Sequence, residues 1–99
     1  MAAYVLVHID VKDPITYEDY KKMSPSSIAQ YGGRFLVRGP TPEVLEGNWD
    51  VKRLVLIEFP SVERAREWWH SPEYAPAKAT RQSASTGDMV LLEGFGRRP

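Results

Sequence analysis

Residues 53–59, RLVLIEF, followed at once by Pro60-Ser61, decide the fold. Side chains alternate across an extended strand, so Val55, Ile57 and Phe59 share one side and Leu54, Leu56 and Glu58 the other. Pro60 stops the strand, and Ser61 is the right residue to cap a helix. Val62, Ala65 and Trp69 then recur at helical spacing. A strand that runs directly into an amphipathic helix is half of a layered α+β unit.

The same signals repeat outward in both directions. Residues 3–11, AYVLVHIDV, read as a first strand. Asp13-Pro14 opens a helix, with Asp as N-cap and Pro at the first helical position. Tyr17, Tyr20, Ser24 and Ile28 carry that helix over 14–30. Pro25 is expected to kink or restart it, with Ser24 as a new cap. Gly32-Gly33 ends it. Residues 34–39, RFLVRG, form a second strand; residues 40–51 carry turn residues and a short extra strand at 43–46. Ser71-Pro72 interrupts the second helix, and Ser71 can cap a restart running to about residue 82. SASTG at 83–87 reads as a loop and 88–94 as a last strand.

The order β-α-β-β-α-β is the ferredoxin-like arrangement. Right-handed crossovers put both broken helices on one face of a four-stranded antiparallel sheet. The expectation is one domain over 1–99, with a core at 3–94 and a loose tail at 95–99. The first and third strands are expected to be parallel neighbours at the centre of the sheet.

Composition narrows the function. Thirteen basic and thirteen acidic side chains cancel, which argues against nucleic acid or an anionic membrane as partner. With no cysteine there is no disulfide framework and no thiolate chemistry. The apolar runs are far shorter than a bilayer span, and the start of the chain does not read as a secretory signal, so a cytoplasmic protein is expected.

Strand alternation predicts two sheet faces. Val5, Val7, Ile9, Phe35, Val37, Val55, Ile57, Phe59, Val90 and Leu92 should lie under the helices. Leu6, His8, Asp10, Arg34, Leu36, Arg38, Leu54, Leu56, Glu58, Met89, Leu91 and Glu93 should lie on the open face. An open face rich in leucine marks an interface. A second copy of the chain, sheet against sheet, covers it in an isologous homodimer.

The phrases SPSSIAQYGGRFLVRG (24–39), VLEGNWDVKRLVLIEFPS (44–61) and WWHSPEYAPAKATRQ (68–82) resemble the bacterial family known as domain of unknown function 1330. The resemblance runs from Tyr4 to Gly94. It implies membership of the dimeric α+β barrel superfamily. Relatives there include cofactor-free quinone-forming monooxygenases, muconolactone isomerases and haem-dependent dye-decolourising peroxidases. It implies the fold more firmly than any activity.

Two sets of residues carry candidate chemistry. The first is a pocket between helices and sheet, walled by Tyr17, Tyr20, Trp68, Trp69 and Tyr74, with Arg38 as a polar contact. Trp69 should be core and Trp68 should flank it. A helix broken at Ser71-Pro72 leaves room for a cavity with aromatic walls and a few hydroxyls. By the resemblance, a Trp and a Tyr of this region line the monooxygenases' substrate pocket, and Trp68 or Trp69 with Tyr74 are the nearest match. The competing reading is plain core packing. The second set is His8, Asp10, Arg34 and Glu58, expected together at one end of the sheet. There His8 could be a general base beside Asp10, and Arg34 could hold an anion. The competing reading is an ion-pair network inside the dimer interface. Two histidines without cysteine do not make a metal site, and no cofactor is indicated. Trp49, at a hairpin tip, reads as a dimer contact. These residues suit a protein that binds a small organic molecule and transforms it without cofactor, by isomerase or lyase chemistry or by monooxygenation. The alternative is a non-catalytic dimeric module that binds a ligand or serves as structure.

Overall fold

The computed structural model describes residues 1–95. Its elements are β1 (Ala3–Val11), α1 (Pro14–Gln30), β2 (Arg34–Arg38), β3 (Arg53–Phe59), α2 (Val62–His70), α3 (Ala75–Ala84) and β4 (Ser85–Glu93). The sheet order is β2-β3-β1-β4, antiparallel at every pairing. The fold is therefore the ferredoxin-like α+β sandwich expected from the element order. No helix among the described residues is long and apolar enough to cross a membrane. The expected loose tail falls mainly on residues 96–99, outside the described residues.

The central pair corrects one expectation. β1 and β3 are antiparallel, with Tyr4 opposite Glu58 and His8 opposite Leu54. Each right-handed crossover joins two parallel strands that are not neighbours, and β1 lies between β3 and β4, opposed to both. His8 and Glu58 consequently sit at opposite ends of the sheet.

The core forms where β1 and β3 alternate as expected. Val5, Val7, Ile9, Val55, Ile57 and Phe59 are buried under the helices with Tyr17, Tyr20 and Ile28. The two edge strands depart from their expected phase. In β4, Val5 faces Leu91 and Val7 faces Met89, so Met89 and Leu91 pack on the core. Val90 and Leu92 are turned to the open face, at 48% and 47% exposed. In β2 the register shifts between Phe35 and Val37: Phe35 opposes Ile57, then Val37 opposes Leu56 and Arg38 opposes Val55. This bulge sends Val37 to the open face and Arg38 to the helix side. Apolar runs such as FLV and MVLL offer both phases, so alternation alone could not choose between them. The open face thus carries Tyr4, Leu6, Val37, Leu54, Leu56, Val90 and Leu92.

The helix ends follow local chemistry. The Asp13 carboxylate accepts from the Thr16 amide at 3.2 Å, and Ser61 Oγ from the Arg64 amide at 3.1 Å. Contrary to expectation, α1 runs unbroken through Pro25 and Ser24 is buried instead of capping a restart. Pro25 has no N–H, which leaves the Lys21 carbonyl without its helical partner. Arg38 fills that gap, donating from Nη2 to Lys21 O at 2.9 Å. Arg38→Ala should therefore cost about 0.5–1.5 kcal/mol. The cost should shrink in a Pro25→Ala background, where residue 25 supplies its own N–H; a urea-unfolding double-mutant cycle measures this coupling.

The segment after β2 contains no strand at 43–46. It folds back on β1 instead: the Lys52 amide donates to His8 Nε2 at 3.0 Å, and Trp49 meets the His8 ring edge-on at 5.3 Å. The expected loop at 83–87 is also absent. α3 passes straight into β4 at Ser85, whose Oγ donates to Arg81 O at 2.7 Å, and the Ala84 carbonyl accepts from the Lys12 and Asp13 amides.

Candidate functional site

The doubled tryptophan of α2 resolves in the opposite sense to the one expected. Trp68 is fully buried, whereas Trp69 is half-buried at the edge of the core. The inner stripe of α2 is Ala65–Trp68, one step of three residues, and Val62 remains part-exposed. Trp68 packs on Phe59 at 5.2 Å and on Tyr74 at 4.1 Å between ring centres. Its Nε1–H donates to Ser27 Oγ at 3.3 Å, which ties α2 to α1.

Ser71 organises the break, but the helix restarts at Ala75 behind Tyr74 and not at Pro72 as expected. Its Oγ donates to the Trp68 carbonyl at 2.7 Å and accepts from the Tyr74 amide at 3.1 Å. The turn at Pro72–Tyr74 carries the Tyr74 ring fully into the core. There Tyr74 OH lies 3.1 Å from Tyr20 OH and accepts from Arg81 Nε at 3.3 Å. Tyr17 packs on Tyr20 with ring centres 5.4 Å apart. Burial, reinforced by the neighbouring Tyr74, pushes the Tyr20 phenol far above its ordinary 10.0. Burial raises Tyr17 too, with Arg53 and Arg81 pulling the other way.

A raised phenol pKa stabilises the fold below the unfolded value and loses that contribution as pH climbs through the folded one. Tyr20 and Tyr17 should therefore stay protonated while exposed tyrosines ionise above about pH 10. In an alkaline titration, phenolate absorbance should rise in two phases, the second coinciding with loss of circular dichroism. A Tyr20→Phe variant should show a smaller second phase.

The space around these aromatics is divided. The Tyr17–Tyr20 region, with Arg38 and Arg81 at its edge, encloses only about 20 Å³ and is filled by side chains. The open space lies on the other side of Trp68 and Trp69. A cleft of about 290 Å³ runs between α2 and β4, walled by Ala65, Trp68, Trp69, Met89 and Leu91 with Arg66 at its rim. A second, more polar hollow of about 390 Å³ adjoins it through Trp69 and Met89 and reaches Arg81, Ser85 and Thr86. Trp69 therefore stands at the junction, with Lys78 Nζ 4.3 Å and the Arg81 guanidinium 5.9 Å from its ring centre.

The second expected set does not come together. Arg34 Nε pairs with Glu58 Oε1 at 2.8 Å at one end of the open face. At the other end Asp10 pairs with Lys12 at 2.8 Å, and this hydrogen bond holds its carboxyl below the usual range. His8 Nε2 is occupied as the acceptor of the Lys52 amide. Among the described residues, no three His, Cys, Asp or Glu side chains lie close enough to hold a metal ion.

Arg81, Met89 and Leu91 escaped the sequence reading. A signal for Arg81 was present, since it falls on the Ala77–Ala84 stripe and so on the buried face of α3. Nothing in the MVLL run distinguished the cleft-lining pair from its neighbours.

Solved structures with this fold include RPA0582, a protein of unknown function from Rhodopseudomonas palustris: 22% identity over 99% of this chain and 84% of that one, TM-score 0.75. SnoaB, a cofactor-independent oxygenase from Streptomyces nogalater, shares 16% identity over 99% and 97%, with TM-score 0.66. A dimeric ferredoxin-like protein of unknown function from Bacteroides fragilis shares 11% over 94% and 96%, with TM-score 0.63. No curated protein matches the chain. The profile of the family described as domain of unknown function (DUF1330) matches residues 2–95, and the chain belongs to that family.

Proposed function

We propose that this protein is a homodimer that binds a small organic molecule in the cleft between α2 and β4. The observation that carries the reading is the apolar cleft of about 290 Å³ with Trp68 and Trp69 in its wall. A concave apolar site with a few polar groups at one end is the usual make-up of a small-molecule pocket. The homodimer reading rests on the open face, where Leu6, Val37, Leu54, Leu56, Val90 and Leu92 form one apolar surface between two charged ends. The dimeric state of the Bacteroides fragilis neighbour supports it.

Cofactor-free turnover at the cleft is a second reading, favoured by the Tyr20–Tyr74–Arg81 hydrogen-bonded chain beside it. The description of the Streptomyces neighbour as a cofactor-independent oxygenase lends it support. His8, Asp10, Arg34 and Glu58 would then serve the interface, since their pairs lie at the ends of the open face and not at the cleft.

A neutral aromatic probe, 2-naphthamide, tests the binding reading. In a Trp49→Phe background, titration should quench the remaining tryptophan emission to saturation. Trp69→Ala should weaken the affinity at least tenfold. Unsaturable quenching, or quenching indifferent to Trp69→Ala, would overturn it.

A further inference from the structure

The cleft reading leaves one group unexplained. Arg81 is 7% exposed, yet no carboxylate pairs with it among the described residues. Among the described residues its one side-chain hydrogen bond, from Nε, goes to the Tyr74 hydroxyl. A guanidinium carries five N–H donors in a planar fork that matches a carboxylate in bidentate fashion. A charge this buried is ordinarily paired, because taking it out of water without a partner is unfavourable. Arg81 also lines the polar hollow that joins the apolar cleft at Trp69 and Met89.

The surroundings favour a negative ligand. Among the described residues no acidic side chain lines either section and Lys78 stands beside Trp69; at the far rim Arg66 also borders a further hollow that holds Glu63 and Glu93. Thr86 adds a hydroxyl to the polar hollow. Arg53, the first residue of β3, is a second cation without an acidic partner among the described residues: its Nε is buried and unbonded, and its guanidinium lies 5.5 Å from the Tyr17 ring centre. The helix–sheet layer behind Arg81 is thus positive and phenolic, and among the described residues no ion pair neutralises Arg81 or Arg53.

We propose that Arg81 anchors the carboxylate of a small organic acid whose flat apolar body lies in the cleft against Trp69. This rests on the binding reading above and names the ligand class for the same site. The carboxylate takes the free N–H groups of Arg81 at the polar end. The apolar body fills the space between Trp69, Met89 and Leu91. Tyr74 and Tyr20 act as positioning residues, holding the guanidinium through its Nε. Arg81 therefore sets specificity for acids over neutral analogues.

The test compares two probes of one shape, 2-naphthoate and 2-naphthamide, by calorimetry on the full chain. The wild type should bind the acid about tenfold or more tightly than the amide, the gap expected of a charge-assisted pair. Arg81→Gln should abolish this preference, lowering acid affinity far more than amide affinity, and Arg81→Lys should restore part of it. Since Arg81→Gln could perturb folding, the preference of the wild type and its decline with added salt are read first. Equal affinity for acid and amide in the wild type, or a preference that survives Arg81→Gln, would overturn the assignment while leaving the cleft as a neutral site. Failure of both probes to bind would remove the cleft reading and the assignment together.

Discussion

Trp68→Ala should lower folding stability by about 3–5 kcal/mol, a large share of what a domain of this size possesses. The ring is fully buried, stacked between Phe59 and Tyr74, and hydrogen-bonded to Ser27 on the neighbouring helix. Its removal opens a cavity at the junction of α1, α2 and the sheet and leaves Ser27 Oγ with only its bond to the Ser24 carbonyl. Trp68→Phe should recover most of the loss, because it keeps an aromatic ring and forfeits the indole N–H. Trp69→Ala should cost much less, on the order of 1 kcal/mol, since that ring is half out of the core. Urea midpoints for the three variants provide the comparison. A Trp69→Ala loss equal to or larger than that of Trp68→Ala would reverse the assignment of core and cleft roles within α2.

On the proposed sheet-to-sheet homodimer, Leu56→Lys should turn a dimer into a monomer at micromolar concentration. Leu56 sits at the middle of the open face, opposite Leu6 on β1 and Val37 on β2. An unpaired ammonium placed between two facing sheets must be desolvated without a partner, a cost of several kcal/mol in each copy. In the monomer the same lysine is solvated and harmless, so the far-ultraviolet spectrum should not change. Light scattering should give twice the chain mass for the wild type and the single-chain mass for the variant. A wild type at the single-chain mass would overturn the homodimer proposal, and a variant that keeps a doubled mass would place the contact elsewhere.

The element order was legible because caps and breakers are local. Asp13 and Ser61 make the capping bonds that their positions suggest, whereas Ser71 accepts from the Tyr74 amide of the intervening turn and α3 starts at Ala75 with no side-chain cap. The central strands were legible too, because Val5, Val7, Ile9 and Val55, Ile57, Phe59 alternate with a different set. Three kinds of error share a physical origin in what lies beyond local pattern. Edge strands with continuous apolar runs do not declare their phase, which hid Met89 and Leu91 and missed the β2 bulge. Relative strand direction follows from the crossovers, so grouping His8 with Glu58 failed once β1 and β3 proved antiparallel. Pro25 breaks a helix by losing one hydrogen bond, and a distant Arg38 replaced the partner. Of the expected aromatic set, Trp69 faces open space, while Tyr17, Tyr20 and Tyr74 are packed shut, the Tyr20 and Tyr74 hydroxyls turned to each other and the Tyr74 hydroxyl to Arg81.

The cleft itself can be observed at one atom group. Met89 lines both of its sections, whereas Met23 is on α1 and Met1 lies at the chain terminus. In a methyl-labelled sample titrated with 2-naphthoate, the Met89 methyl resonance should shift and saturate, with Met1 and Met23 unmoved. Saturable binding that shifts Met23 and leaves Met89 in place would contradict the account.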